Sequence, residues 1–310
     1  MARTRWALRT AILLAGAALL EACALNGRFL SPEPIPITKT TATLKDHTNG
    51  TVFQVELDSL HQPTFKNDKG EVVDLGYAIT SRSFPNERGH MLHAWYITPV
   101  RTASNGITIL FFHGNSGNVA TNYSMMLPFV ERGYRIFVPD YSGFGFSEGK
   151  ATRLHVKEDG AAALNYLRNS GEATGTLILY GQSLGGHLAP CVAAEHQDQI
   201  DALVVEGAFS SHEDVAVALS KLGFFARLVT REIYSAKRSI AKYTDPVLVI
   251  HSRDDGTIPF WMGERLYAAA NQPKTFLPID QCHVCGPFYY ADSISAQMLR
   301  MVENVRTGDR

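Results

Sequence analysis

Gly181-Gln182-Ser183-Leu184-Gly185 is the stretch of this chain best suited to chemistry. A serine flanked by glycines two residues away on either side can occupy a tight strand-to-helix turn. The glycines remove the side chains that would crowd the turn, and the hydroxyl projects from its apex above the first turn of a helix. The apolar run Thr176–Tyr180 precedes it and a helix-like stretch, Gly185–Glu195, follows, which is the context such a turn requires. Pro190 lies inside that stretch and predicts a kink or a late start to the regular helix. A serine hydroxyl is a weak nucleophile until a base takes its proton, so partners must be sought elsewhere in the chain.

With the serine on a turn of this kind, an acid and then a histidine follow it in sequence. Five histidines are eligible: His187, His196, His212, His251 and His283. His187 and His196 fall on the helix after the serine, and His251 ends the run Val247–Ile250 with the candidate acids after it. Only His283 follows both a last strand and a plausible acid, and it is the expected base. Asp254 and Asp255 compete for the acid, with Glu206, after an earlier strand, as a third option; either aspartate could instead be a turn carboxylate. Acyl transfer also needs preorganised N–H donors for the oxyanion. The backbone N–H groups of Leu184 and of Asn115, in the loop His113-Gly114-Asn115-Ser116-Gly117-Asn118, are the expected pair.

Cys282-His283-Val284-Cys285 brackets the expected base. A thioredoxin-type redox motif would open a helix after a first strand, whereas this one follows the last. Zinc would need four clustered ligands, and only this short group presents itself. Cys282–Cys285, a pairing with Cys191, or three buried thiols all remain open.

These residues need a scaffold to converge. Tyr77–Pro85 and His90–Pro99 read as an antiparallel hairpin around Asn86-Glu87-Arg88-Gly89. Ile107–Phe112, Arg135–Pro139, Thr176–Tyr180, Ala202–Val205, Val247–Ile250 and Thr275–Ile279 are short apolar runs, as expected of strands covered on both faces. Helix-like stretches at Tyr123–Glu131, Val156–Arg168, Gly185–Glu195 and Trp261–Ala270 alternate with them. The class is therefore α/β, with a mostly parallel central sheet and helices on both faces. Nearly every polar residue named above follows the carboxyl end of a strand, where ligands bind in such sheets. About 209–243 is the room left for a short helical lid, and Leu219, Leu222, Phe224, Phe225, Leu228 and Val229 make an apolar stripe at three-four spacing. Packing on the domain is the plainer reading of that stripe, and an acyl-chain wall or membrane contact the functional one.

The strings His113-Gly114-Asn115-Ser116-Gly117-Asn118, Asp140-Tyr141-Ser142-Gly143-Phe144-Gly145-Phe146-Ser147-Glu148-Gly149 and Gly181-Gln182-Ser183-Leu184-Gly185-Gly186 together resemble a small-lid branch of the α/β-hydrolases. That branch includes eukaryotic protein depalmitoylases and bacterial hydrolases, and the resemblance runs from about Gly89 to the C-terminal helix. It implies the α/β-hydrolase fold and hydrolysis of carboxylic esters or thioesters without metal or organic cofactor. In the register of the family's acid loop, Asp255 falls on the acid and Asp254 on a turn, which makes Ser183, Asp255 and His283 the expected triad. An aminopeptidase-like amide hydrolase and a silent membrane-tethered binding protein are the rival classes.

At 310 residues, 45% hydrophobic and 19% charged, the chain has the makings of a sizeable core. A net charge of −1 without a long basic run gives nucleic acid no hold, and the resemblance implies a small-molecule or lipid acyl substrate. Arg3, Arg5 and Arg9 precede the apolar stretch Ala11–Leu20, which is signal-peptide length and short for a bilayer span. Leu20-Glu21-Ala22-Cys23 resembles the lipobox of bacterial lipoproteins, departing from it at Glu21. The resemblance implies cleavage before Cys23, its lipidation, and export to a cell-envelope membrane. Residues 1–22 are then signal peptide, 23–44 a Pro- and Thr-rich tether, and 45–310 the hydrolase domain.

Overall fold

The computed structural model describes residues 29–35, 41–45, 50–173 and 175–307. The expected signal peptide and Cys23 lie outside the described residues. In chain order the strands are β1 (Ser31–Pro32), β2 (Thr41–Lys45), β3 (Val52–Leu57), β4 (Pro63–Lys66), β5 (Tyr77–Pro85), β6 (Met91–Pro99), β7 (Ile107–Phe112), β8 (Ser116–Gly117), β9 (Arg135–Pro139), β10 (Thr176–Gln182), β11 (Ala202–Glu206), β12 (Val247–Ser252) and β13 (Lys274–Ile279). Eight of them form the central sheet in the order β13-β12-β11-β10-β7-β9-β6-β5. β5 pairs antiparallel with β6, and β6 with β9. The pairs from β9 through β7, β10, β11 and β12 to β13 are all parallel.

Period-two alternation divides the sheet's side chains between two cores. Ile109, Phe111, Ile178, Tyr180 and Val204 face one side, where they meet Phe129 and, from the C-terminal helix Ala291–Thr307, Ile294 and Met298. Leu110, Phe112, Leu177, Leu179 and Val205 face the other, against Leu164 of the helix Arg153–Asn169 and Leu188 of the helix Leu184–Glu195. β7 is buried along its whole length, because both faces are covered. The helix after Ser183 runs unbroken through Pro190.

Two parts of the chain depart from the sequence reading. The domain starts before residue 45. β2, β3 and β4 form an antiparallel sheet whose inward residues Leu44, Phe53, Val55, Leu57 and Phe65 join the first core. Residues 29–35, expected as part of a free spacer, lie on the hydrolase: β1 pairs parallel with β8, and the Ile35 N–H donates to the Gly145 carbonyl. Prolines favour extended backbone, and an extended segment can add to exposed carbonyls and N–H groups as well as span a gap.

The lid segment is the second departure. It carries the helix His212–Leu219, a 3-10 turn at Gly223–Phe225 and short helices at Ala226–Val229 and Ala236–Ile240. The apolar stripe does not pack on the domain: Leu219, Phe224, Phe225 and Leu228 are 59–76% exposed. Three-four spacing assumes one continuous helix, but the chain breaks after Leu219, and Ala226 and Thr230 turn inward instead.

Candidate active site

Ser183 sits between β10 and the helix Leu184–Glu195 with φ 53° and ψ −113°, in the left-handed half of backbone space that side chains avoid. Its N–H donates to the Glu206 carbonyl (2.9 Å), so the turn is anchored to the end of the neighbouring strand. The glycines permit close crossing. A Cβ on Gly185 would drive into the Phe112 carbonyl oxygen of β7, and one on Gly181 into the Gly185 carbonyl. The helix therefore starts hard against the sheet, its N-terminal N–H groups beside the serine.

Asp255 lies three residues beyond β12. Its Oδ1 accepts the N–H groups of Thr257 and Ile258, both at 2.8 Å, and its Oδ2 meets His283 Nδ1 at 2.6 Å. Burial pushes its carboxyl up, but the His283 hydrogen bond and charge, with the Ile258 and Thr257 N–H groups, hold it below the usual value. With Nδ1–H donated to the carboxylate, the His283 lone pair is left on Nε2. Asp254 is exposed, its Oδ2 3.3 Å from the Gln281 N–H, so the structure joins His283 to Asp255 rather than to its neighbour. Next to His283, Gly207 leaves space that a Cβ would fill at 3.1 Å from imidazole Cε1; Gly207 adjoins the Glu206 whose carbonyl holds Ser183. Among the described residues no hydrogen bond joins Ser183 Oγ to His283, a contact that often tightens only when substrate arrives.

The other histidines after Ser183 are placed differently. His187 and His212 are buried in the lid-side core, and His196 caps the helix after Ser183. His251 is sealed, with Nε2 on the Ile258 carbonyl at 2.9 Å, and burial depresses its basicity. On the opposite rim, a Cβ on Gly114 would stand 3.8 Å from Ser183 Cβ, which puts the expected oxyanion loop against the serine. Asp140, from the second motif, fastens that loop: its Oδ1 accepts the Val119 N–H at 2.7 Å and lies 3.4 Å from His113 Nε2. Burial raises Asp140, opposed by His113 and by the Val119 N–H.

Sequence reasoning missed how the histidine loop is held. Glu206, weighed only as an alternative acid, is buried at the end of β11 and does not touch His283 Nδ1. It accepts from Tyr180 Oη at 2.6 Å, Gln182 Nε2 at 2.8 Å and the Gly286 N–H at 2.7 Å. Gln182 also donates to the Val284 carbonyl at 3.1 Å. Ser252 Oγ donates to the Gln281 carbonyl at 2.6 Å, and a Cys282–Cys285 disulfide closes the turn around His283. Cys191 is a free, buried thiol pushed up to about 12 by that burial. The residue between the first glycine and the serine was the available signal: Gln182 continues β10 and reaches across to the last loop.

A cavity of about 300 Å³ opens beside Ser183, with Leu184 and Asn115 at the serine end and Phe209, Val215, Leu219 and Ile258 along an apolar wall. Phe29 also lines it, held there because the Ser31 N–H donates to the Asn115 carbonyl. A carboxylate–imidazole pair, a serine on a strained turn and an apolar cavity beside that serine are parts that acyl transfer uses.

Comparison with known proteins agrees with this architecture. A family model described as alpha/beta hydrolase fold matches residues 107–232. A Salmonella typhi protein named Uncharacterized protein YfhR is 33% identical over 214 residues, which cover 64% of this chain and 72% of that protein. Alpha/beta hydrolase domain-containing protein WAV2 of Arabidopsis thaliana is 31% identical over 202 residues, 60% of this chain and 65% of that protein. Among solved structures, the esterase Pf2001 of Pyrococcus furiosus aligns over 74% of this chain and 94% of its own, with a TM-score of 0.59 and 17% identity. Est1E of Butyrivibrio proteoclasticus, solved with ferulic acid, aligns over 72% and 99% with a TM-score of 0.59 and 18% identity. The structural likenesses are of fold, and the sequence likeness reaches further. This chain belongs to the α/β-hydrolase family.

Proposed function

We propose that the protein is a serine hydrolase that cleaves carboxylic esters or thioesters through an acyl-enzyme on Ser183. The observation that carries this reading is the Asp255–His283 pair at 2.6 Å, carried after β12 and β13 at the same carboxyl end of the parallel strands as Ser183 on its strained turn after β10. His283 Nε2 takes the Ser183 proton as Oγ attacks the carbonyl carbon, and Asp255 stabilises the resulting imidazolium. The N–H groups of Leu184 and Asn115 receive the oxyanion. Collapse of the intermediate expels the alcohol or thiol, protonated by His283, and the same imidazole then activates water to release the acid.

The apolar wall of Phe209, Val215, Leu219 and Ile258 supports a hydrocarbon acyl group over a charged one. The lipobox-like segment supports a lipid on Cys23 and a place in the bacterial cell envelope. The exposed Phe224, Phe225 and Leu228 beside the cavity wall support contact with a membrane surface. Among the described residues no helix is long and apolar enough to cross a membrane.

The test is labelling with a fluorophosphonate, followed by hydrolysis of ester and thioester series of rising chain length and of aminoacyl amides. Labelling at Ser183, lost in Ser183→Ala, with ester or thioester turnover above amide turnover, is the expected result. Equal labelling of Ser183→Ala would overturn the assignment.

A further inference from the structure

Two parts of the lid segment meet at a buried polar knot that the hydrolytic reading does not use. His187 lies one turn into the helix after Ser183, His212 opens the helix His212–Leu219, and Glu232 and Tyr234 precede the helix Ala236–Ile240. Both imidazoles are fully buried, with centroids 4.6 Å apart. His187 Nδ1 is 2.8 Å from the Phe209 carbonyl oxygen and its Nε2 3.3 Å from the Tyr234 carbonyl oxygen. A neutral imidazole has one N–H and one lone pair. With the N–H on the shorter contact, the Nε2 lone pair faces the lone pairs of a carbonyl. Protonating both nitrogens would instead seal a full charge in the core.

His212 Nδ1 converges on the same place. It lies 3.1 Å from the Tyr234 carbonyl oxygen and 3.2 Å from Glu232 Oε1. The ligating atoms of His187, His212 and Glu232 all lie within 4.8 Å of one another. A tetrahedral cation with bonds of about 2.0–2.1 Å holds its ligands about 3.3–3.4 Å apart. Three of the six edges such a site would have, 3.1, 3.2 and 3.3 Å, fall near that spacing, and those from His187 to His212 and to Glu232 are within 4.8 Å.

We propose that His187 Nε2, His212 Nδ1, Glu232 Oε1 and the Tyr234 carbonyl form a structural site for a divalent cation of the zinc class. Two imidazoles with two oxygens favour zinc over magnesium or calcium, which take all-oxygen shells. The Phe209 carbonyl on His187 Nδ1 is the outer partner that fixes a ligating ring, and Glu232 Oε2 is fixed in turn by the Glu213 N–H at 3.0 Å. Bound there, the cation ties the start of the helix His212–Leu219 and the stretch before Ala236 to the helix that begins at Leu184. It also fixes Phe209, which stacks on His187 at 4.0 Å and lines the cavity. The expectation of no metal rested on short motifs, whereas these ligands stand 25 and 20 residues apart in the chain.

The site stands or falls independently of the hydrolytic reading. Tag-free full-length protein, stripped with a chelator, is titrated with zinc chloride and, separately, with cobalt chloride. The expected results are one metal per chain, a raised melting temperature, and the intense visible bands of tetrahedral cobalt. His212→Asn and Glu232→Gln should each lose at least tenfold in affinity, while Ser183→Ala binds as the parent does. Absence of stoichiometric metal in the folded parent, or unchanged affinity in both folded variants, overturns the proposal. Should the variants fail to fold, the parent decides: only the weak spectrum of hexa-aqua cobalt would overturn it.

Discussion

Replacing Asp255 with asparagine probes the proposed triad with little disturbance to the loop. An asparagine Oδ1 can keep the 2.8 Å bonds from the Thr257 and Ile258 N–H groups. What it loses is the negative charge 2.6 Å from His283 Nδ1. Two unit charges with centres about 4 Å apart interact by about 4 kcal/mol at an effective dielectric of about 20. Stabilising the imidazolium by that amount is worth about a thousandfold in rate. The side-chain amide would also present its NH₂ to Nδ1 and favour the tautomer whose Nε2 carries the proton, pushing the loss toward ten-thousandfold. The expected result is therefore a fall in kcat on a soluble p-nitrophenyl ester of about 10³–10⁴, with KM within about threefold. Asp254→Asn, whose native carboxylate meets the Gln281 N–H at 3.3 Å, should stay within about threefold of the parent in both constants. Acid unfolding supplies an independent readout. The folded carboxyl of Asp255 lies below its ordinary 3.8, so its contribution is present above that value and is lost as pH falls through the lowered one. Asp255→Asn should lack that part of the acid transition. A folded Asp255→Asn within tenfold of the parent in kcat, or an Asp254→Asn as slow, would refute the reasoning.

Glu206→Ala leaves Tyr180, Gln182 and the Gly286 N–H without their buried acceptor, and urea unfolding should show a loss of about 4 kcal/mol. Glu206 itself is raised above 4.5 by burial, so its stability contribution is present below that value and is lost as pH rises through the raised one; Glu206→Gln should flatten that slope. Ser183→Gly relieves a side chain held at φ 53°, and thermal melts should show a gain of about 1 kcal/mol together with loss of fluorophosphonate labelling. A double change, Phe224→Ser with Phe225→Ser, should weaken binding to anionic lipid vesicles at least fivefold while leaving turnover of a short soluble ester within about twofold; equal vesicle binding would remove the membrane-contact reading.

The sheet was legible because its strands are buried on both faces and therefore apolar throughout, as in β7 and β12. Chain order after Ser183 pointed to His283, the register of the family's acid loop pointed to Asp255 over Asp254, and the structure joins those two at 2.6 Å. β3 carried its own signal, with Phe53, Val55 and Leu57 alternating inward, yet it lies beyond the stretch the motifs cover. The stripe from Leu219 to Leu228 misled because spacing reports a face only where one helix is continuous. The role of Glu206 and the knot at His187 were out of reach for a different reason. Their partners lie far off in sequence, 80 residues away for Glu206 and Gly286, and only the closed fold brings them together.

If Cys23 carries the proposed lipid, the docking of Phe29 at the cavity rim sets the length of the leash. Five residues separate Cys23 from Phe29, and a fully stretched chain covers about 20 Å in the six steps between them. With a lipid on Cys23, the enzyme would have no long arm with which to sample the periplasmic fluid. Its cavity mouth would ride within a headgroup's depth or two of the leaflet. Substrates would then arrive by lateral diffusion along the surface, so that turnover would follow their density per unit area of membrane rather than their concentration in the bulk.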